Sequence, residues 1–159
     1  TQHSKDAEQF IKQFAGKYKL NLVVGRVKNN RQKRESIEEF WRNERYSFLE
    51  SLGSNHIFTA HHLDDVVETW IMSSLHGQSK LIPYSRNNKI YRPLLPTSKQ
   101  QIVDYATRHN VSYIDDPSNM SSKYMRNLVR NEMMDVVLKV NPGIHKTIKK
   151  KLLEFNTDV

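Results

Sequence analysis

Cysteine is absent from this sequence of 159 residues. No disulfide framework, thiolate nucleophile or cysteine-ligated zinc site can therefore form within it. No stretch approaches the roughly 20 consecutive apolar residues of a membrane-spanning helix, and residues 1–6 are polar rather than the apolar core of a signal peptide. These absences predict a cytoplasmic protein.

Acidic residues are in deficit relative to basic ones. Lys and Arg number 25 against 17 Asp and Glu, which gives a formal net charge of +8 with His neutral and a pI of about 9.7. A basic excess of this size indicates an anionic partner. The hydrophobic fraction of 37% and the mean hydropathy of −0.72 are typical of a folded chain that is neither disordered nor membrane-embedded.

Apolar spacing in the first half of the chain predicts alternating helices and strands. The second helix starts at Ser36 with Glu39 at capping-box spacing, and the run over residues 20–27 is β-branched enough for a strand buried on both faces. The predicted order is a helix over 5–18, a strand over 20–27, a helix from Ser36 to Gly53, a strand over 56–60 and a helix over 65–75. This order predicts the α/β class, with parallel strands joined by right-handed crossovers.

The second half changes character. Gly and Pro interrupt residues 77–97, with Asn87-Asn88 as a predicted turn. The predicted elements that follow are a helix over 98–109, an extended piece over 111–114, a polar loop over 115–122, a helix over 124–140 and a last helix from Pro142. We therefore expect an α/β domain over residues 1–122 and a helical extension over residues 123–159 packed on it.

Polar side chains are densest in AHHLDDVVET, residues 60–69, where a predicted strand meets a helix. Ligands of parallel α/β sheets bind at this edge. Asp65 and Glu68 are three residues apart and share a helix face, so together they could hold a cation or an ammonium group. The segment also contains the potential metal ligands His61, His62, Asp64 and Asp65. A third interpretation is that the acidic residues only complement the dipole of the helix.

A second polar cluster combines the loop at 115–119 with the start of the following helix. Arg126 and Arg130 are four residues apart with Asn127 beside them, a spacing that can present two guanidinium groups to phosphate oxygens. The alternative is a turn followed by a solvated basic helix face. Arg92 precedes a proline, so it could simply cap the end of a strand.

Taken in order, these segments resemble the tRNA(Ile)-lysidine synthetases of the PP-loop ATPase superfamily. The resemblance is close over residues 36–131 and rests on Ser36-Ile37-Glu38, Arg42, Arg45-Tyr46, AHHLDDVVET at 60–69, YRPLL at 91–95, DDPSN at 115–119 and YMRNLVR at 124–130. It implies an adenine-nucleotide α-hydrolase-like, Rossmann-like fold. It also implies ATP-dependent ligation of lysine to C2 of cytidine 34 in the anticodon of a minor tRNA(Ile), through an adenylated intermediate and with Mg²⁺.

The resemblance further implies roles for particular residues. A catalytic set would comprise His61, His62, Asp64, Asp65 and Glu68, in which Asp65 and Glu68 hold the ammonium group of the substrate lysine. Contacts with phosphates of ATP or tRNA would come from Arg92, Asn119, Arg126, Asn127 and Arg130. The resemblance assigns no metal-ligating side chain.

Two departures from the family pattern affect the phosphate site. The Ser-Gly-Gly-x-Asp-Ser loop that cradles pyrophosphate has no counterpart, because the five glycines are scattered singly. His76-Gly77 stands where the family usually has Arg-Gly. The sequence therefore predicts an α/β domain incomplete at its N-terminus that does not turn over ATP alone. Such a chain would be the C-terminal part of a split or truncated enzyme, with a separate chain supplying the loop, or an inactive tRNA-binding module. A metal-dependent hydrolase is a third hypothesis.

Overall fold

A computed structural model describes residues 2–122 and 124–157. The chain divides into two compact units, Thr1–Gly53 with Tyr113–Asp116, and Ser54–Ser112 with Pro117–Val159. The predicted boundary between residues 122 and 123 falls inside the second unit.

In the described residues of the first unit, the regular structure is helical. Helix α1 spans Gln2–Lys17 and helix α2 spans Ile37–Ser51, which confirms both predicted helices. The Ser36 hydroxyl accepts a hydrogen bond from the Glu39 N–H at 3.1 Å and so caps the start of α2. Gly53 follows the end of α2 with a φ of 68°, a left-handed conformation that glycine adopts without strain.

The predicted buried strand over residues 20–27 is wrong. The segment has no strand pairing in the part of the chain that the structure describes. Its large apolar side chains are 40–60% exposed, namely Leu20, Leu22, Val23, Val24 and Val27. A β-branched run becomes a strand only when a neighbouring strand pairs with its backbone, and none does so here.

Gly25 touches α2 closely, which makes a testable prediction. A Cβ at this position would lie 2.6 Å from two ring carbons of Phe48. We expect Gly25→Ala to lower the unfolding free energy of the first unit by about 1–2 kcal/mol, because the ring or the backbone must shift. Gly16→Ala is the matched control, since nothing lies within 4 Å of its Cβ position at the end of α1; it should be neutral or slightly stabilising. Urea denaturation compares the two, and equal effects would contradict the close contact.

The second unit contains a small mixed sheet of three strands. The strands are β1 Ile57–Phe58, β2 Ser85–Arg86 and β3 Ile90–Tyr91, in the order β1-β3-β2. β1 pairs in parallel with β3, as predicted for an α/β fold, and β2 pairs antiparallel with β3. Asn87 and Asn88 have φ angles of 55° and 49°, which confirms the predicted turn. β1 is shorter than the strand predicted over residues 56–60.

The described part of the second unit also contains the α-helices α3 Leu63–Leu75, α4 Lys99–Arg108, α5 Met125–Leu128, α6 Met134–Val140 and α7 Ile144–Thr157. A short 3₁₀-helix spans Pro117–Met120 within the predicted polar loop. The predicted helix over 124–140 is present, but a π-helical turn at Val129–Met133 interrupts it between α5 and α6. No helix within the described residues is both long and apolar enough to cross a bilayer.

Helix α3 is the centre of the core. Its Val66 and Val67 are fully buried together with Ile148 and Leu152 of α7, and Val129 of the π-helical turn is 1% exposed. The last helix therefore shares one core with the helix that carries the AHHLDDVVET motif. This packing fixes α5, the π-helical turn and α7 around the polar start of α3.

Candidate active site

The polar start of α3 lies just beyond the carboxyl end of β1. The Thr59 N–H donates to the Tyr91 carbonyl at 2.9 Å, which continues the pairing with β3, and α3 begins four residues later. Asp65 accepts the His62 N–H at 3.0 Å through Oδ2 and thereby satisfies a free donor at the helix start. Oδ2 of Asp65 is therefore engaged by the backbone at the start of its own helix.

Glu68 is buried and bound by two arginines. Its side chain is 2% exposed, and Arg130 binds it with both arms, Nε to Oε1 at 2.7 Å and Nη2 to Oε2 at 3.0 Å. Arg126 approaches the same carboxylate, with Nη1 3.5 Å from Oε2. Bidentate guanidinium–carboxylate pairs are the strongest ion pairs available to side chains. The bond to Glu68 accordingly raises the pKa of Arg130 further.

Asp65 joins this cluster from its accessible side. Its Oδ1 lies 3.4 Å from Nη1 of Arg126 and 3.7 Å from Nη2 of Arg130, and its side chain is 16% exposed. Arg126 also donates to the Thr69 hydroxyl at 3.2 Å through Nη2. Two carboxylates and two guanidinium groups therefore alternate on one face of α3, and their formal charges cancel.

Asp64 forms a second group with two histidines. Its Oδ2 accepts the Lys99 N–H at 2.7 Å, its Oδ1 lies 3.3 Å from Nε2 of His145, and Nδ1 of His62 lies 3.6 Å from Oδ2. Burial raises the pKa of Asp64, but His145, His62 and the Lys99 N–H outweigh it and hold that pKa far below the ordinary range. The Asp64 carboxylate in turn raises the pKa of His62 against the effect of burial, with help from Asp65 and Glu68.

The raised pKa of His62 predicts a pH-dependent contribution to stability. The charged imidazole stabilises the fold fully below the unfolded-state pKa of about 6.5, and this stabilisation is lost as the pH rises through the folded-state value. The difference in unfolding free energy between wild type and His62→Gln should be largest near about pH 5.5 and shrink towards about pH 8.5. Urea denaturation of both proteins at a series of pH values measures this difference in unfolding free energy. The same comparison in an Asp64→Asn background is the control and should vary less with pH, because only Asp65 and Glu68 then raise the pKa of His62. A flat wild-type comparison would contradict the ion pair.

The structure brings together six residues of the sequence-predicted site, namely His62, Asp64, Asp65, Glu68, Arg126 and Arg130. The other four are placed differently. His61 contacts the Thr59 hydroxyl at 2.9 Å, and Arg92 is 2% exposed with Nη1 donating to the Pro83 carbonyl at 2.8 Å.

Asn127 and Asn119 form hydrogen bonds that hold the polar loop before α5 in place. The Asn127 side chain is buried and donates to the Ser118 and Ser121 carbonyls, both at 2.9 Å. The Asn119 carbonyl accepts from the Asn131 side chain at 2.8 Å. The polar loop and the first turns of the helix after it are thus tied together, which holds the residues flanking Arg126 and Arg130.

Three site features were missed by reasoning from the sequence. His145 is one residue into the last helix, where nothing in the local pattern marks it as a partner of Asp64. Thr69 follows Glu68 and lies four residues after Asp65, so helix periodicity could have identified it. The third feature is the backbone N–H of Lys99 at the start of α4, which donates to Asp64.

His76 is the residue directly after α3, and its Nδ1 contacts the Met72 carbonyl at 2.8 Å.

A metal-binding arrangement is not formed by the described side chains. No group of three or more His, Asp or Glu residues within residues 2–122 and 124–157 is placed to hold a metal ion. The carboxylates here point instead at guanidinium and imidazole groups. What the arrangement offers chemically is a partly buried set of alternating charges beside a histidine whose pKa is raised.

Comparison with known proteins adds to this geometry. A family model described as a PP-loop domain matches residues 1–137. The tRNA(Ile)-lysidine synthase of Persephonella marina is 34% identical over 154 residues, covering 91% of this chain and 34% of the relative. The tRNA(Ile)-lysidine synthase of Nitrosomonas europaea is 27% identical over 156 residues, covering 92% and 34%. The chain thus spans about a third of the length of these curated relatives.

A solved structure shares the fold. The U34-tRNA thiolase NcsA from Methanococcus maripaludis, determined with its [4Fe-4S] cluster, superposes with a TM-score of 0.72. It is 18% identical, and the match covers 95% of this chain and 56% of the thiolase. At this level of identity the likeness shows an α/β fold of the same kind.

Proposed function

We propose that this chain, which belongs to the PP-loop domain family, provides the lysine-binding part of an enzyme that ligates lysine to cytidine 34 of tRNA(Ile). The observation that carries the proposal is the cluster of Asp65 and Glu68 with Arg126 and Arg130 on one face of α3. It lies at the edge of the sheet where α/β proteins bind ligands.

The cluster fits a zwitterionic ligand. Free lysine carries two ammonium groups and one carboxylate, and alternating carboxylates and guanidinium groups can match both signs of charge. Asp65 is the more accessible acid, with a side chain 16% exposed against 2% for Glu68. We assign Asp65 as the direct contact of an ammonium group. Glu68 then acts mainly by orienting Arg130, and Arg126 and Arg130 are available to an anionic group of the ligand or of the tRNA.

The proposed reaction has two steps. ATP transfers its adenylyl group to the oxygen on C2 of cytidine 34 and releases pyrophosphate; the lysine amine then attacks C2, and AMP leaves with that oxygen. The attacking amine must first lose a proton, because an ammonium group has no free electron pair. We assign this proton to His62 in its neutral form, because its Nε2 lies 3.6 Å from Oδ2 of Asp65, the residue assigned to an ammonium group.

The adenylation step needs groups that the 159 residues do not contain. The sequence holds no loop able to cradle pyrophosphate, so we derive no part of ATP or Mg²⁺ binding from these side chains. We propose that polypeptide outside this sequence supplies such a loop. A separate chain can be that polypeptide. Two exposed apolar surfaces support this, the side chains of Leu20, Leu22 and Val23 in the first unit and that of Phe58 of β1, 69% exposed, in the second. Additional β-strands could pair with or pack on both surfaces and so bury them.

A tRNA-binding module without catalysis is the second candidate. The absence of a pyrophosphate loop from the sequence favours it. The carboxylates argue against it, because Asp65 and Glu68 neutralise Arg126 and Arg130, two cations that an RNA-binding surface would direct at phosphates. The net charge of +8 suits either candidate.

Pyrophosphate release distinguishes the two candidates. The purified chain with ATP and tRNA should release none, and addition of a polypeptide that carries the strand, Ser-Gly-Gly-x-Asp-Ser loop and helix of a family member should start the release. The control is the same polypeptide with the loop Ser and Asp replaced by Ala. Binding of tRNA without release in any combination would favour the binding module.

A further inference from the structure

The first unit contains a cavity of about 390 Å³ that none of the site residues lines. Residues 25–27 line it together with four residues of α2, namely Trp41, Glu44, Arg45 and Phe48. Gly25 and Phe48, which both line the cavity, lie so close that a Cβ at Gly25 would be 2.6 Å from two carbons of the Phe48 ring. Trp41 remains 48% exposed.

These walls suit a planar heteroaromatic ligand. The volume lies within the range of small-ligand sites, about 300–1,000 Å³. Trp41 and Phe48 are seven residues apart and therefore lie on the same face of α2. Aromatic rings of this kind stack on nucleobases, and Arg45 and Glu44 offer a donor and an acceptor for polar edges of a base.

A strongly basic segment continues directly from the cavity wall. Residues 28–34 carry four cations and no acidic residue, namely Lys28, Arg31, Lys33 and Arg34, and all four are exposed. Asn29 of this segment donates to Glu44 at 2.8 Å, which ties the segment to the cavity-lining helix. Basic residues beside stacking aromatics form the usual surface for single-stranded nucleic acid.

We infer that the cavity takes one unstacked base of a single-stranded RNA, whose neighbouring phosphates lie along residues 28–34. The inference rests on the proposed function in that tRNA is the RNA expected there, and it adds a nucleotide contact outside the charged cluster of α3. Trp41 stacks on the base, Arg45 contacts its polar edge or its phosphate, and the basic segment supplies the salt-sensitive part of the affinity.

Tryptophan fluorescence tests the inference directly. The chain has two tryptophans, so Trp70→Phe leaves Trp41 as the sole reporter. Titration with an unstructured ten-nucleotide cytidine RNA should quench Trp41 to saturation. The same RNA with abasic sites throughout should still bind, as judged by anisotropy of an end label, but about tenfold more weakly and without quenching. Equal affinity and equal quenching for both RNAs would overturn the inference.

Variants and competing ligands complete the test. Arg45→Gln should weaken binding of the cytidine RNA more than Arg42→Gln, the matched control on the same helix, whose guanidinium lies over the Tyr46 ring at 4.9 Å. Equal losses would show that only net charge matters, which would overturn the assignment to the cavity. Stronger quenching by ATP alone, or by a ten-residue glutamate peptide, would also overturn it. Because none of these measurements involves lysine transfer, failure here leaves the proposed function standing.

Discussion

The Glu68→Gln variant is expected to lose about 3 kcal/mol of unfolding free energy. The Glu68 side chain is 2% exposed and bonds Arg130 through both oxygens, so the amide leaves Arg130 without the charge of its nearest carboxylate. Removing one partner of a buried ion pair costs about 3–5 kcal/mol, and the partial exposure of both arginines places this variant at the lower end. Urea denaturation at neutral pH, followed by Trp70 fluorescence in a Trp41→Phe background, reports on the second unit.

Two further variants separate the ion pair from other effects of the substitution. Glu154→Gln on α7 is the matched control, because its side chain is 64% exposed and 3.9 Å from Lys150, and it should change stability by less than about 0.5 kcal/mol. The double variant Glu68→Gln with Arg130→Met should be less destabilised than the sum of its two single variants. A loss below about 1 kcal/mol for Glu68→Gln would contradict the buried ion pair.

The Asp65→Asn variant is expected to raise the lysine concentration needed for half-maximal activity by about 10–100-fold. A charge-assisted hydrogen bond contributes about 1.5–3 kcal/mol, and the amide removes the charge. The amide oxygen can still accept the His62 N–H, so the start of α3 should be preserved. Activity titrated against lysine, with the chain complemented by the loop-bearing polypeptide, measures the effect.

The control for Asp65 is Asp104→Asn on α4, an exposed residue that accepts a hydrogen bond from Gln100 at 2.8 Å. It should leave the lysine requirement unchanged, and tRNA affinity should be unchanged in both variants. If Asp65 instead held a metal ion, the loss in Asp65→Asn would be rescued by excess Mg²⁺ and would not depend on lysine. That pattern would remove the assignment.

Local sequence signals predicted the helices well. The apolar stripe of α1, the Ser36 cap and the asparagine pair at 87–88 all act over a few residues, so their conformations follow from the local sequence. The helix that carries Asp65 and Glu68 was predicted for the same reason. Its first residue is Leu63, two residues before the predicted start.

The strands were predicted less well, because a strand depends on distant partners. Residues 20–27 have the composition of a buried strand, yet no described segment pairs with them. Composition indicates a strand, but pairing needs a neighbouring strand, and local composition carries no information on whether one is present.

The site shows a similar division between local and distant information. Helix periodicity placed Asp65 and Glu68 on one face without any structure. It could not show that Arg126 and Arg130, about 60 residues later, pair with them rather than face solvent. The π-helical turn at Val129–Met133 also has no sequence signature that we can identify, although it contains Arg130. Likewise, His145 reaches Asp64 only because the apolar face of α7 packs on α3.

Mass spectrometry of the tRNA itself tests the central claim most directly. The chain, the loop-bearing polypeptide, ATP, Mg²⁺, lysine and tRNA(Ile) are incubated together, and the nucleoside at position 34 is isolated and weighed. The account predicts that cytidine 34 gains one lysine with loss of water, only when all components are present, and far less with Asp65→Asn at limiting lysine. Pyrophosphate release with an unmodified position 34, or modification that does not depend on lysine, would contradict it.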